Sequence, residues 1–140
     1  MKEGGTAAPA GYSGKSVADK LGYRAGTRVL IVGKPRGFTT LLAGPDVKLA
    51  SSGAGPFSGA HLFVTERNTM AAELKRLMKL IDRDGMIWVS WPKKASKVPT
   101  DITEDTIREV CLPMGLVDVK VCAVDEVWSG LKLVIRKDKR

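Results

Sequence analysis

The sequence predicts an α/β protein: a mostly parallel sheet with helices on both faces, closed by a C-terminal antiparallel hairpin. Three observations carry this reading. Short continuous apolar runs occur at Arg28–Val32, Ala60–Thr65 and Met86–Trp91, and strands that are apolar on both sides belong in sheets covered on both faces. Between the second and third run lies a stretch with helical apolar spacing, and strands alternating with helices imply a parallel sheet. The last two apolar segments instead approach period two and are joined by a short turn, the pattern of a hairpin.

The elements follow in order along the chain. Residues 1–11 are rich in Gly, Ala and Pro and predict a flexible tail. A short helix follows, with Ser16 as its cap, Asp19 at the capping-box position and Gly22 at its end. Arg28–Val32 is the first strand, stopped at Gly33. Gly33-Lys34-Pro35-Arg36-Gly37-Phe38 is a turn leading to a short helix through Leu41 and Leu42. Val47–Ala50 is a weak strand, and Ser51–Gly59 is loop. Ala60–Thr65 is the second buried strand. A helix over 69–82 carries Met70, Leu74, Leu77, Met78 and Ile81 on one stripe, and Gly85 breaks it. Met86–Trp91 is the third buried strand, stopped by Pro92.

A basic loop, Lys93–Lys97, leads to a helix over 104–112. Thr103 is its cap, and Ile102 with Ile107 fits a hydrophobic staple. Over 117–123, Val117, Val119, Val121 and Ala123 share one face, and Asp118, Lys120 and Cys122 the other. A turn at Asp125–Gly130 precedes the strand Leu131–Arg136, and Lys137–Arg140 reads as a solvated basic tail. With right-handed crossovers, residues 12–136 form a single, small Rossmann-like domain.

Composition bounds the function. The chain has 140 residues, 23 Lys plus Arg against 15 Asp plus Glu, net charge +8 and pI about 9.7. That length buries a core without disulfide staples. No apolar run spans a membrane, and the N-terminus lacks the apolar core of a secretory signal. Cys111 and Cys122 have no metal-ligand or CxxC spacing, so no metal site is expected, and a reduced cytoplasmic protein is. Cys111 falls on an apolar helical stripe with Ile107, Val110 and Met114, which assigns it to packing. His61 is the single histidine, near the start of a buried strand with no Ser or Cys visible beside it, so it is assigned to the core. No catalytic residue is assigned.

In open α/β sheets, ligands sit beyond the carboxyl ends of the strands. That rule selects Gly33–Gly37, Thr65–Asn68, Trp91–Lys97 and Asp125–Trp128. A nucleotide-type cofactor needs glycines in the first of these loops and a carboxylate at the end of the next strand for the ribose. Here Pro35 takes the middle glycine position and offers no N–H, and the next strand ends in Ser51 and Ser52. The sequence therefore assigns no cofactor. Lys93 and Lys94 place two amines at the carboxyl edge, where the helix beginning near Glu104 would help to hold an anion. Trp91 and Trp128 would be the apolar walls, and Gly33, Arg36 and Thr65 the neighbouring loops. The plainer alternative is a solvated loop with Trp91 in the core. Asp125 or Glu126 would pair with one of these lysines.

Three stretches carry a resemblance. They are Gly11-Tyr-Ser-Gly-Lys15 with Ala18–Gly22, Met86-Ile-Trp-Val-Ser-Trp-Pro-Lys-Lys94 running on to Pro99–Asp105, and Gly115–Lys132 with its Val-Asp-Glu-Val-Trp-Ser-Gly core. Together they look like a bacterial family of small proteins of unknown function, over almost the whole chain. The order of elements also resembles a shortened class I methyltransferase with its terminal hairpin and without one middle strand–helix unit. The first resemblance implies no activity, and the second implies S-adenosylmethionine, against which Pro35 and the absent carboxylate stand. The leading expectation is a non-catalytic binder of an anionic small molecule or a macromolecular partner at the carboxyl edge. The alternatives are a degenerate S-adenosylmethionine-dependent methyltransferase and nucleic-acid binding through the basic face. No amphipathic basic helix points to a membrane surface.

Overall fold

The three apolar runs become three inner strands of one six-stranded sheet. The computed structural model describes residues 21–35 and 47–140. Strands β1 (Arg28–Val32), β2 (Lys48–Ala50), β3 (Phe57–Phe63) and β4 (Ile81–Pro92) run parallel. Strands β5 (Leu116–Ala123) and β6 (Trp128–Ile135) form the hairpin. The spatial order is β2-β1-β3-β4-β6-β5. The antiparallel strand is β6, set between β4 and β5, so the free edge on that side belongs to β5. Helix α1 (Arg67–Leu77) joins β3 to β4, and α2 (Glu104–Met114) joins β4 to β5.

Strand alternation sorts the core into two layers. Leu30, Ala60, Leu62, Ile87, Val89, Leu131 and Leu133 pack on the side of α1 and α2, against Met70, Leu74, Leu77, Ile107 and Cys111. Val29, Ile31, Phe63 and Trp88 face the other way, against Leu21, Tyr23 and Val124. Leu21 is the last helical residue before Gly22, whose φ of +79° ends that turn as the sequence predicts. The expected tail over 1–11, the Ser16 cap, Arg36 and the short helix through Leu42 lie outside the described residues.

Several boundaries move. The α1 stripe overcounts by one: Ile81 fits helical spacing, yet it is a strand residue paired with Phe57. The helix stops at Leu77, and β4 begins four residues later. Gly85 is no breaker but lies inside β4, where the register jumps between Phe57/Ile81 and Gly59/Met86. A Cβ at Gly85 would meet the Ser58 carbonyl oxygen at 2.7 Å, so this irregular crossing depends on glycine. Strand β3 starts at Phe57, inside the expected loop, because Phe57 is fully buried and its N–H bonds the Leu80 carbonyl at 2.7 Å. In β5 the expected valine face is broken by a bulge between Asp118 and Lys120. Val119 and Val121 are left about half exposed, at 53% and 50%, while Cys122 packs against the second core layer.

Helix caps fix the elements that frame the carboxyl edge. Thr103 accepts a hydrogen bond from the Thr106 N–H at 3.2 Å, and the Gly115 αL conformation closes α2. Ile102 and Ile107 are buried in one core, as the staple requires. Helix α1 has no side-chain cap of its own; instead Asp101 accepts the Arg67 N–H at 2.7 Å, so the loop before α2 caps α1.

Gly33 turns the chain off β1 at φ +72°, and a Cβ there would run into the Phe63 carbonyl oxygen. Gly33→Ala should cost at least about 2 kcal/mol, from the left-handed backbone plus displacement of that carbonyl. Urea unfolding measures this, and an unshifted midpoint would contradict the packing described.

Candidate functional site

Thr65, Trp91, Lys93, Lys94 and Trp128 all lie at the carboxyl edge, together with Gly33; Arg36 is outside the described residues. They do not form one pocket. Trp91 belongs to the core layer under α1 and α2, whereas Trp128 packs on the opposite layer, its ring edge-on to Phe63 at 5.2 Å. Opposite strand parity explains the split: Pro92 pairs with Trp128, so Trp91 and Trp128 point to different faces. Lys93 ties the edge to the hairpin, its N–H bonding the Val127 carbonyl at 2.7 Å.

The cleft that does form lies on the Trp91 side, between the loop leaving β4 and the start of α2, with a volume of about 770 Å³. Trp91, Val98, Pro99 and Ile102 give it apolar surface, and Lys94, Lys97 and Arg108 give it cations. The lysines sit on an ordered 3-10 turn over Lys94–Ser96. Ser96 Oγ donates to the Lys93 carbonyl at 2.6 Å, and Lys97 closes the turn at φ +63°. A non-glycine residue in that region is uncommon and costs on the order of 1 kcal/mol. The next segment is latched to β3: Thr100 Oγ1 donates to the Thr65 carbonyl at 2.7 Å, and the Asp101 N–H bonds the same oxygen at 3.3 Å. Thr65 thus acts through its backbone, as an anchor for the cleft wall.

The charges are not equivalent. Arg108 is enclosed by Glu104 at 2.9 Å, Asp118 at 3.0 Å and Asp105 at 3.2 Å. Hydrogen bonding to Asp118 and then Glu104 raises its pKa further, keeping it cationic. Glu104 and Asp105 also occupy the first turn of α2 and line the cleft, so the helix end expected to attract an anion already faces its own carboxylates. Among the described residues, Lys94 and Lys97 have no ion-pair partner. The expected pairing of Asp125 with Lys93 or Lys94 does not form: Asp125 Oδ1 instead accepts the Val127 and Trp128 N–H groups, each at 2.8 Å. Lys97, Thr100 and Arg108 were not among the residues the sequence assigned to the site. Their signals were the three-residue spacing from Lys94 to Lys97 and the four-residue spacing from Glu104 to Arg108.

At the ends of β1 and β2, where the fold would place a nucleotide cofactor, the described residues leave a recess of about 160 Å³ lined by Ile31, Lys34, Leu49, Ala50 and Ser51. Small-molecule sites usually enclose about 300 Å³ or more. Among the described residues no carboxylate lines it for a ribose, and Lys34 contributes a cation. The described residues therefore do not fit S-adenosylmethionine in the usual way.

Beneath the edge lies a buried polar chain that the sequence did not reveal. Tyr23 Oη and His61 Nδ1 are 2.9 Å apart, and His61 Nε2 and Ser90 Oγ are 2.6 Å apart. All three residues are buried, and Phe63 stacks on the imidazole at 4.3 Å. Either neutral tautomer satisfies both bonds. Burial lowers the His61 pKa to about 3, and burial followed by the nearby Cys122 raises that of Tyr23. The arrangement is a closed structural network, with no access for a substrate. Burial also pushes the Cys111 thiol up to about 11, so it is no nucleophile near neutrality. Among the described residues, no group of three or more His, Cys, Asp or Glu could hold a metal, and no helix is long and apolar enough to cross a membrane.

No family model matches the chain, and no curated protein is similar to it in sequence. Solved structures share its fold. A SAM-dependent methyltransferase from Aquifex aeolicus superposes with TM-score 0.63 at 16% identity, over 85% of this chain and 87% of the other. Fibrillarin from Aeropyrum pernix, which carries natively bound S-adenosyl-L-methionine, gives 0.58 at 14% identity, over 89% and 70%. The magnesium protoporphyrin IX methyltransferase of Synechocystis PCC 6803 gives 0.58 at 13%, over 86% and 76%. The chain shares the Rossmann-like fold of these class I methyltransferase structures.

The buried histidine makes stability depend on pH. The folded state holds His61 neutral down to about pH 3, while the unfolded chain takes up a proton near pH 6.5. Between these limits the unfolded state binds more protons, so the His61 contribution is intact above pH 6.5 and is lost as pH falls toward 3. The expected slope approaches a little over 1 kcal/mol per pH unit. Denaturant melts at pH 7, 6 and 5 measure it, and His61→Gln should flatten this limb at the cost of lower stability at pH 7.

Proposed function

We propose that this chain is a non-catalytic Rossmann-like binding protein that takes an anionic small molecule at the carboxyl edge. It would act in the cytoplasm, as a member of the bacterial family its motifs resemble. The observation that carries the reading is the cleft of about 770 Å³ in which an apolar floor at Trp91 and Ile102 meets two ammonium groups, Lys94 and Lys97, that have no ion-pair partner among the described residues. That combination suits a ligand with a flat apolar body and a phosphate, sulfate or carboxylate. Lys93 is close in sequence but is not part of the cleft lining, so the charge of the site moves from Lys93 and Lys94 to Lys94 and Lys97. Arg108, already surrounded by three carboxylates, would shape the wall rather than bind.

A second reading is favoured by the fold alone: a degenerate S-adenosylmethionine-dependent methyltransferase. The small recess beside Lys34, with no carboxylate among its described lining residues, weighs against it. Calorimetric titration with S-adenosylmethionine and S-adenosylhomocysteine separates the two, and saturable heat with either would favour the methyltransferase.

For the first reading, 1-naphthyl phosphate is a suitable probe. It should quench tryptophan fluorescence saturably in the wild-type protein. Lys94→Ala/Lys97→Ala should weaken binding by at least about tenfold, each lost charge-assisted hydrogen bond being worth about 1.5–3 kcal/mol. The melting temperature should stay nearly constant, since both side chains are exposed. Equal affinity in the double variant would remove the cleft from consideration.

A further inference from the structure

The opposite edge of the sheet, where the parallel strands begin, holds a second recess, of about 400 Å³. Four cations line it: Lys75 and Lys79 from the end of α1 and the turn after it, Arg83 from the start of β4, and Lys139 from the C-terminal turn. Its apolar surface comes from Met78, Met114 and Ile135. No carboxylate among the described residues is part of this lining. Among the described residues, Lys75, Lys79 and Lys139 have no ion-pair partner.

The segregation follows from strand geometry. Asp82, Arg83 and Asp84 are consecutive in β4 and therefore alternate between faces. The two aspartates line a separate polar cavity with Arg24 and Lys132. Arg83 is thus displayed on the helix side without its sequence neighbours' charges.

The C-terminal residues 137–140 are exposed, as expected of a solvated end, but they form a 3-10 turn folded back onto this edge. The Arg136 N–H bonds the Gly115 carbonyl at 2.9 Å, and the Lys139 N–H bonds the Arg136 carbonyl at 2.8 Å. Arg140 Nε donates to the Ile135 carbonyl at 2.8 Å, and Arg83 Nη2 donates to the Lys139 carbonyl. These bonds bring Lys139 beside Arg83 although both are cations. The dipole of α1 favours cations at its C-terminal end and accounts for Lys75 and Lys79; it gives no reason for Arg83 and Lys139 to converge there.

We infer that this recess binds the oligophosphate group of a small molecule. Several converging cations with no counterion among the described lining residues match three or four clustered negative charges, and a guanidinium with ammonium groups suits phosphate oxygens. The volume lies in the range of small-molecule sites. A nucleic-acid strand calls for cations strung along a track with aromatic rings for its bases; here the cations meet at one recess, and none of its described lining residues is aromatic. The site is separate from the carboxyl-edge cleft and does not depend on it.

The test is calorimetric titration of the full chain with sodium tripolyphosphate, beside a 20-nucleotide single-stranded DNA. Wild-type protein should bind tripolyphosphate at one site, more weakly as salt rises. Lys75→Glu/Lys79→Glu should weaken it by at least tenfold and leave the melting temperature of the free protein nearly unchanged. Lys139→Ala, at an exposed position in the C-terminal turn, should weaken it several-fold and carries the test if the double variant does not fold. Lys94→Ala/Lys97→Ala should bind like wild type. No binding by the wild type would overturn the inference, as would equal binding by Lys75→Glu/Lys79→Glu or loss of binding in Lys94→Ala/Lys97→Ala. DNA binding stronger than tripolyphosphate binding, lost in the same variants, would replace the small molecule with a nucleic-acid backbone.

Discussion

Strand β4 has to satisfy two cores at once, and most of the molecule is arranged around that requirement. It pairs in parallel with β3 on one side and antiparallel with β6 on the other, so both of its edges are used. Its faces are both covered. Ile87, Val89 and Trp91 supply the helix-side layer, while Met86, Trp88 and Ser90 supply the other. A strand in this position tolerates no one-residue slip, because a slip would exchange the two sets wholesale. Trp88 fixes the register further: its indole N–H reaches the Leu21 carbonyl at 2.7 Å. On the far side of β4, Gly130 of β6 leaves room for the same indole, since a Cβ there would meet Trp88 at 3.1 Å.

The second core layer is accordingly held by polar bonds as well as by apolar contact. Tyr23, His61 and Ser90 come from three segments remote in sequence, and His61 bridges the other two. An unpaired buried polar group costs about 1–3 kcal/mol, so the chain is stable with all three or would be better served by none of them. The likeness to a nucleophile–base pair is geometric only. Stacking under Phe63 and complete burial deny His61 the water or substrate that acid–base work requires. The same enclosure that makes the network a structural specifier makes it sensitive to acid.

Much of the fold was legible in the sequence, because the signals for β1, β3, β4 and α2 are local. Apolar runs mark strands covered on both faces, and Thr103 with Ile102 and Ile107 marks a helix start. What was not legible depended on partners. Ile81 satisfies helical spacing and strand pairing equally, and only Phe57 across the ladder decides. The bulge at Asp118–Lys120 inverts the facing of β5, and no residue type announces it. Of the site, the edge itself was readable from the ends of the strands. That Trp91 and Trp128 face opposite ways was readable only from the Pro92–Trp128 pairing. The acids around Arg108 were half visible: Glu104 and Asp105 at helical spacing, Asp118 only through the return of β5. Ser90 as the partner of His61 needed the β3–β4 register, which composition does not contain.

The net charge of +8 looks at first like a property of the whole surface, and among the described residues part of the positive charge is balanced locally. At the start of α2, two carboxylates in the first turn and Asp118 absorb Arg108. At the end of α1, Arg76 is absorbed by Glu73, which its guanidinium contacts at 2.9 Å, and Arg136 lies 3.4 Å from Asp138. Such exposed pairs add little stability, typically under about 1 kcal/mol each, but they remove those cations from any long-range field. Among the described residues, cations without an ion-pair partner meet in two hydrogen-bonded places: on the turn leaving β4, closed by a left-handed lysine, and in the turn that Arg83 and Gly115 hold against the opposite edge. Attraction at distances beyond about 10 Å is screened at ordinary salt, so an anion would sense these local excesses rather than the total. A ligand must therefore be recognised by the few cations it can touch, and in both places the groups it would touch are presented by hydrogen-bonded turns rather than by free chain.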